Sequence, residues 1–106
     1  MTYKKSEVTE KKGSRPGFLF RLYITGASPN SSRAITNVKI LFDNILEKNY
    51  ELEIIDVYQN PGIAQLENII ALPLLVRKNP LPERRLIGDM SDSAKLVNLF
   101  GLENNE

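Results

Sequence analysis

Reactive side chains gather in two stretches of this 106-residue chain. The first, Leu22–Arg33 (LYITGASPNSSR), sets the hydroxyls of Tyr23, Ser28, Ser31 and Ser32 beside the amide of Asn30 and the guanidinium of Arg33. The second, Pro80–Asp92 (PLPERRLIGDMSD), places Arg84-Arg85 ahead of Gly88, Asp89 and Asp92. A serine becomes a nucleophile when a neighbouring base takes its proton. The sequence contains no histidine and no cysteine, so imidazole bases, thiolates, disulfides and the usual structural zinc ligands are missing. Asp89 and Asp92 could form a carboxylate pair or a metal site. Near a helix start, without a third carboxylate beside them, they fit better as charges that complement the helix dipole. Recognition is left as the chemistry these residues serve: exposed hydrogen-bonding groups at Ser28, Asn30 and Arg33, and an arginine pair whose adjacent members point to opposite faces of a strand.

The elements that position them follow from hydrophobic periodicity. Phe18–Thr25 (FLFRLYIT) is nearly continuous in apolar and β-favouring types, as a central strand covered on both faces would be. Gly26 ends it, Ser28 is suited to an N-cap, and Pro29 fits the first helical position, where its missing N–H does no harm. Ala34, Val38, Leu41, Phe42 and Ile45 then recur at helical spacing, predicting a helix from about Pro29 to Lys48. Tyr50–Val57 (YELEIIDV) reads as a second strand with an exposed beginning that carries Glu51 and Glu53. Asn60-Pro61 repeats the cap-plus-proline signature and predicts a helix whose apolar face is Ile63, Leu66, Ile69 and Ile70. LLVRKNPLPERRLIGD predicts a hairpin stiffened by Pro80 and Pro82. Ser91 is the expected cap of a last helix with Leu96, Val97, Leu99 and Phe100 on one stripe, stopped by Gly101.

The order β-α-β-α-β-β-α belongs to the thioredoxin-like α/β fold: a four-stranded mixed sheet with three helices. A right-handed crossover makes the first two strands parallel, and the spatial order second, first, third, fourth puts Tyr50–Val57 at an edge. From this fold the Leu72-Pro73 peptide is expected to be cis and to close one wall of a peptide-binding groove beside Gly26–Arg33. The window that holds a Cys-x-x-Cys pair in thioredoxins here reads Ala27-Ser28-Pro29-Asn30. Without thiols, that scaffold is expected to recognise a partner by its surface.

Composition narrows the classes further. The length suits one domain, expected over residues 18–102, with residues 1–17 as a flexible basic arm and 103–106 as a polar tail. Net charge is +1, from 14 basic and 13 acidic residues, so no long-range field draws nucleic acid or anionic lipid. No apolar run is long enough for a secretory signal or a membrane helix, which predicts a cytoplasmic protein. A cysteine-independent enzyme on this scaffold, such as a glutathione-using transferase, lacks a base for its hydroxyls.

Four segments together resemble the KaiB clock-protein family: GASPNSSRAI at Gly26–Ile35, IIDVYQNP at Ile54–Pro61, ALPLLV at Ala71–Val76 and, most specifically, PLPERRLIGDMSD. The resemblance spans about Phe18 to Phe100 and extends to the sensory domain of SasA-type histidine kinases. It implies a regulator without catalytic activity or cofactor that binds a KaiC-like ATPase, with a histidine kinase or a KaiA-like protein as further partners and a dimer or tetramer as possible assemblies. It also implies that the family adopts a second, ground-state fold besides the thioredoxin-like one. Interaction residues are expected at Ser28, Asn30, Arg33, Glu51, Glu53, Arg84 and Arg85, with Gly26, Pro29, Pro61, Pro73, Gly88 and Asp89 shaping the backbone. Glu51 and Glu53 stand where cyanobacterial members tend to be small or basic, and Leu99-Phe100-Gly101 replaces a longer Gly-Leu-Asp-Leu-Leu run. These departures imply a divergent member whose ATPase partner works outside a full circadian clock.

Overall fold

In the computed structural model, which describes residues 17–102, the apolar run Phe18–Ile24 forms the central strand β1. Helix α1 (Pro29–Ile45), strand β2 (Tyr50–Asp56), a 3-10 turn (Val57–Gln59) and the one-turn helix α2 (Ile63–Leu66) follow. Strands β3 (Leu74–Asn79) and β4 (Arg84–Ile87) and helix α3 (Ser93–Phe100) complete the order. The sheet runs β2-β1-β3-β4, with β1 parallel to β2 and the other neighbours antiparallel. This is the expected thioredoxin-like arrangement, with β2 at one edge and β4 at the other. The basic arm, apart from Gly17, and the polar tail lie outside the described residues.

Alternation along β1 divides its side chains between two faces. Phe20, Leu22 and Ile24 join Ala34, Val38 and Phe42 of α1, Leu52 and Ile54 of β2, and Leu96 and Phe100 of α3 in the main core. Phe20 lies 4.4 Å from Phe42 between ring centroids and meets Phe100 edge-on at 5.5 Å. Burying a side chain of this size contributes about 1.5–3 kcal/mol, so this face carries most of the stability. Tyr23 points the other way, into a smaller buried cluster with Val57, Leu74 and Val76, against which the partly buried Ile55, Ile63, Ala64, Ile69 and Leu72 pack.

Three local expectations are corrected. Asn60-Pro61 does not open the second helix; α2 begins at Ile63 and lasts four residues, with no side-chain cap at Gly62. The Asn60 side chain instead donates back to the Asp56 carbonyl at 3.0 Å, and its amide closes the 3-10 turn on Val57 at 3.1 Å. Leu66 and Ile70, expected on a buried face, are consequently 79% and 89% exposed. Ser91 does not cap the last helix: the Asp92 carboxylate accepts from the Lys95 amide at 3.1 Å, while the Ser91 amide donates to Asp89. Helix α1 ends at Ile45 and not near Lys48, because Glu47 turns to φ 56. Gly101 does end α3, at φ 67.

Candidate interaction site

The turn from β1 into α1 is built from hydroxyls. Ser28 is the N-cap of α1 and accepts from the Ser31 amide at 3.2 Å, with Pro29 at the first helical position. Its hydroxyl donates to Ser31 Oγ at 2.9 Å and accepts from Thr25 Oγ1 at 3.2 Å. The buried Ser31 Oγ in turn accepts from the Thr25 amide at 3.0 Å. Gly26 takes φ 52, a conformation that side-chain-bearing residues rarely adopt, and donates to Asp56 Oδ1 at 3.1 Å. Burial opposes the charge on Asp56, but the amides of Gly26 and Tyr58 hold its carboxyl below the usual range.

Across this turn stands Pro73, after a cis Leu72-Pro73 peptide. Thr25, Ser28, Pro29, Asn30, Arg33, Leu72 and Pro73 line an open groove of about 440 Å³. Arg33 crosses its rim: Nη2 donates to Asn30 Oδ1, and Nε lies 3.5 Å from Asp89 Oδ2. Asp89 also accepts from the Ser91 amide at 3.1 Å, and its carbonyl accepts from Asn37 of α1 at 2.9 Å. Contacts from Ser91, with Arg33 nearby, hold the Asp89 carboxyl below the usual range. Gly88, at φ 134, donates its amide to the Pro73 carbonyl at 3.0 Å. Ser28, Asn30, Arg33, Gly26, Pro29, Pro73, Gly88 and Asp89 are therefore brought to one end of the sheet.

The other candidates lie elsewhere. Glu53 pairs with its register partner Arg21 at 2.7 Å, and the Glu51 side chain makes no hydrogen bond or ion pair among the described residues. Both are on edge strand β2. On β4, Arg85 donates to the Glu67 and Asn68 carbonyls at 2.6 and 3.3 Å, whereas Arg84 has no such partner among the described residues. Pro61 is an exposed turn residue.

Two contributors escaped the sequence reading. Asp56 links the Gly26 turn to the end of β2, and a carboxylate closing an apolar strand was the available signal. Arg77 is 7% exposed and donates to the carbonyls of Phe100 at 2.7 Å and Pro82 at 2.8 Å, binding the end of α3 to the hairpin loop. Burial, with Arg84 nearby, lowers its pKa. Nothing in LLVRKN distinguishes it from an edge cation. Among the described residues, no three His, Cys, Asp or Glu side chains are grouped to hold a metal ion, and no helix is long and apolar enough to cross a membrane. The groove offers an amide, a guanidinium and a wall of backbone, a combination suited to gripping an extended peptide.

Comparison with known proteins agrees with this geometry. The KaiB domain matches residues 21–102. The circadian clock oscillator protein KaiB of Synechococcus elongatus is 40% identical over 89 residues, which cover 84% of this chain and 85% of that protein. Its counterpart in Prochlorococcus marinus subsp. pastoris is 39% identical over 90 residues, covering 85% and 82%. Among solved structures, the N-terminal domain of Synechococcus elongatus SasA gives a TM-score of 0.68 at 20% identity, covering 92% of this chain and 95% of that one. Mitochondrial thioredoxin 3 from Saccharomyces cerevisiae gives 0.65 at 14% identity, covering 92% and 86%. At those identities the two structures share the fold alone.

Proposed function

The chain belongs to the KaiB family, and from that membership we propose that it is a non-catalytic regulator of the clock-protein type that acts by binding a KaiC-like ATPase. The observation that carries this reading is the match of the KaiB domain to residues 21–102, reinforced by 40% identity to a KaiB oscillator protein. The groove supports it in chemical detail. Ala27 and Asn30 replace the thiol positions of a thioredoxin, and Arg33 offers a guanidinium whose side chain is 56% exposed at the rim. The partner's segment would lie between the Ser28–Arg33 turn and the Pro73 wall, taking hydrogen bonds from Asn30 and Arg33. The edge strand β2, with Glu51 unpaired among the described residues, offers a second contact for a KaiA-like protein or a kinase domain by strand addition. The likeness to SasA is one of fold, so the reading follows the relatives in sequence.

Co-sedimentation with the KaiC-like ATPase of the same genome, loaded with nucleotide, tests the proposal. Binding is expected, and Arg33→Ala should weaken it about 10-fold or more by removing charge-assisted hydrogen bonds. Thermal unfolding should barely move, because the exposed Arg33 pair adds little stability. No association of the wild-type chain would overturn the assignment.

A further inference from the structure

The face of the sheet that carries Tyr23 is held together differently from the main core. Helix α2 buries no residue fully, and Leu66 and Ile70 face solvent. What ties this segment down is charge. The Glu67 carboxylate, at the end of α2, lies 3.4 Å from Lys78 Nζ of β3 and 3.8 Å from Arg85 Nη2 of β4. Arg85 also grips the Glu67 and Asn68 carbonyls, and Lys78 is shared with Glu83 at 2.7 Å. Beneath lies Tyr23, fully buried, whose hydroxyl has no well-formed hydrogen bond among the described residues. Burial raises its pKa, with Arg21, Glu67 and Lys78 near enough to act on it.

These features make the closed arrangement costly to keep. A buried hydroxyl with the Arg21 side chain nearby but no well-formed hydrogen bond recovers only part of the hydration it loses. Lifting the segment would return water to that group but would also expose the apolar surface where the partly buried Ile63, Ala64, Ile69 and Leu72 pack against Tyr23, Leu74 and Val76. The ion pairs oppose the lift. Their side chains are 19–39% exposed, so dissolved ions reach them.

We propose that residues 62–72 form an electrostatic latch over Tyr23, closed by Glu67 between Lys78 and Arg85 and released when that grip is screened. Release uncovers Tyr23, Leu74 and Val76 while the core on the opposite face stays intact. The latch is a property of the isolated chain and does not rest on the identity of any partner.

Amide hydrogen exchange of the full chain, followed by NMR, tests this. The Leu66, Glu67 and Ile69 amides donate to the Gly62, Ile63 and Ala64 carbonyls and report on closure. Raising NaCl from about 0.05 to 1 M, which shortens the screening length to about 3 Å, should speed their exchange about 10-fold, with the Leu22 and Phe42 amides changing less than about 2-fold. Glu67→Gln should exchange fast at low salt and lose most of the salt response. Tyr23→Phe, which removes the incompletely satisfied hydroxyl, should exchange more slowly than wild type. Salt-insensitive exchange at the three amides overturns the proposal, as does a wild-type salt response in Glu67→Gln or exchange in Tyr23→Phe as fast as wild type. Unchanged Leu22 and Phe42 amides in each variant confirm that the chain remains folded.

Discussion

The two faces of one sheet are secured by different physics. On one, Phe20, Phe42 and Phe100 interlock between α1 and α3; on the other, a single turn of helix rests on a tyrosine and is pinned by Lys78, Arg85 and Glu67. The contrast separates what keeps this chain folded from what it can change. Apolar burial is indifferent to salt and to small shifts of pH. Partly exposed ion pairs are weakened by salt, and by acid once their carboxylates take up protons.

The largest expected effect is on the packed face. Phe42→Ala should cost about 3–5 kcal/mol in urea unfolding, the range for deleting a buried phenylalanine. Ile63→Ala, on the pinned face, should cost about 1 kcal/mol or less because its side chain is already partly in water. Equal losses would erase the distinction between the faces. Gly26→Ala comes next, at about 1–2 kcal/mol, since alanine would have to hold the left-handed conformation at φ 52. The neighbouring Asp56 oxygen, 3.8 Å from where the added methyl would sit, would not obstruct it. Thermal unfolding measures that cost, and an unchanged midpoint would mean that the turn can rearrange.

Acid should sharpen the contrast. The carboxyls of Asp56, Glu83 and Asp89 are all depressed in the folded chain: Asp56 by backbone amides against its burial, Glu83 by Lys78, and Asp89 by Ser91 and Arg33. Their stabilisation is therefore fully present above the ordinary carboxylate range, about pH 4, and is lost as pH falls through the folded values. None of the three belongs to the main core. Hydrogen exchange between about pH 5 and pH 3, corrected for intrinsic rates, should show protection failing first at Tyr58 and Ser91, whose amides donate to Asp56 and Asp89, and last at Leu22. Simultaneous loss would contradict the division. The smallest effect concerns the β2 edge: replacing Glu51 and Glu53 with threonine should raise the sedimenting mass, because charge on an edge strand discourages pairing between copies. Arg21 already holds Glu53, so Glu51 should account for most of the change.

Legibility in the sequence follows the same divide. The packed face was readable because each of its elements announces itself locally: the apolar run of β1, the helical spacing of Ala34, Val38 and Phe42, and the Ser28-Pro29 start. From these came the strand order and the groove, with its cis peptide at Leu72-Pro73. The pinned face was not readable. Asn60 can bond forward as a helix cap or backward to a turn, and the sequence is the same in both cases. Arg77 finds carbonyls 23 and 5 residues away, and the Arg21–Glu53 pair depends on a register across 32 residues. Such contacts exist only once the sheet is assembled.

The central claim, that the groove end of this KaiB-family chain is its docking surface, is tested most directly by a footprint of the complex. Hydrogen exchange of the chain alone and bound to the nucleotide-loaded KaiC-like ATPase would be compared amide by amide. The account predicts new protection at the Gly26–Arg33 turn and the Gly88–Ser91 loop, with none on the outer surface of α1 around Lys39 and Ile40. Protection confined to that outer surface, with the turn left as exposed as in the free chain, would contradict it.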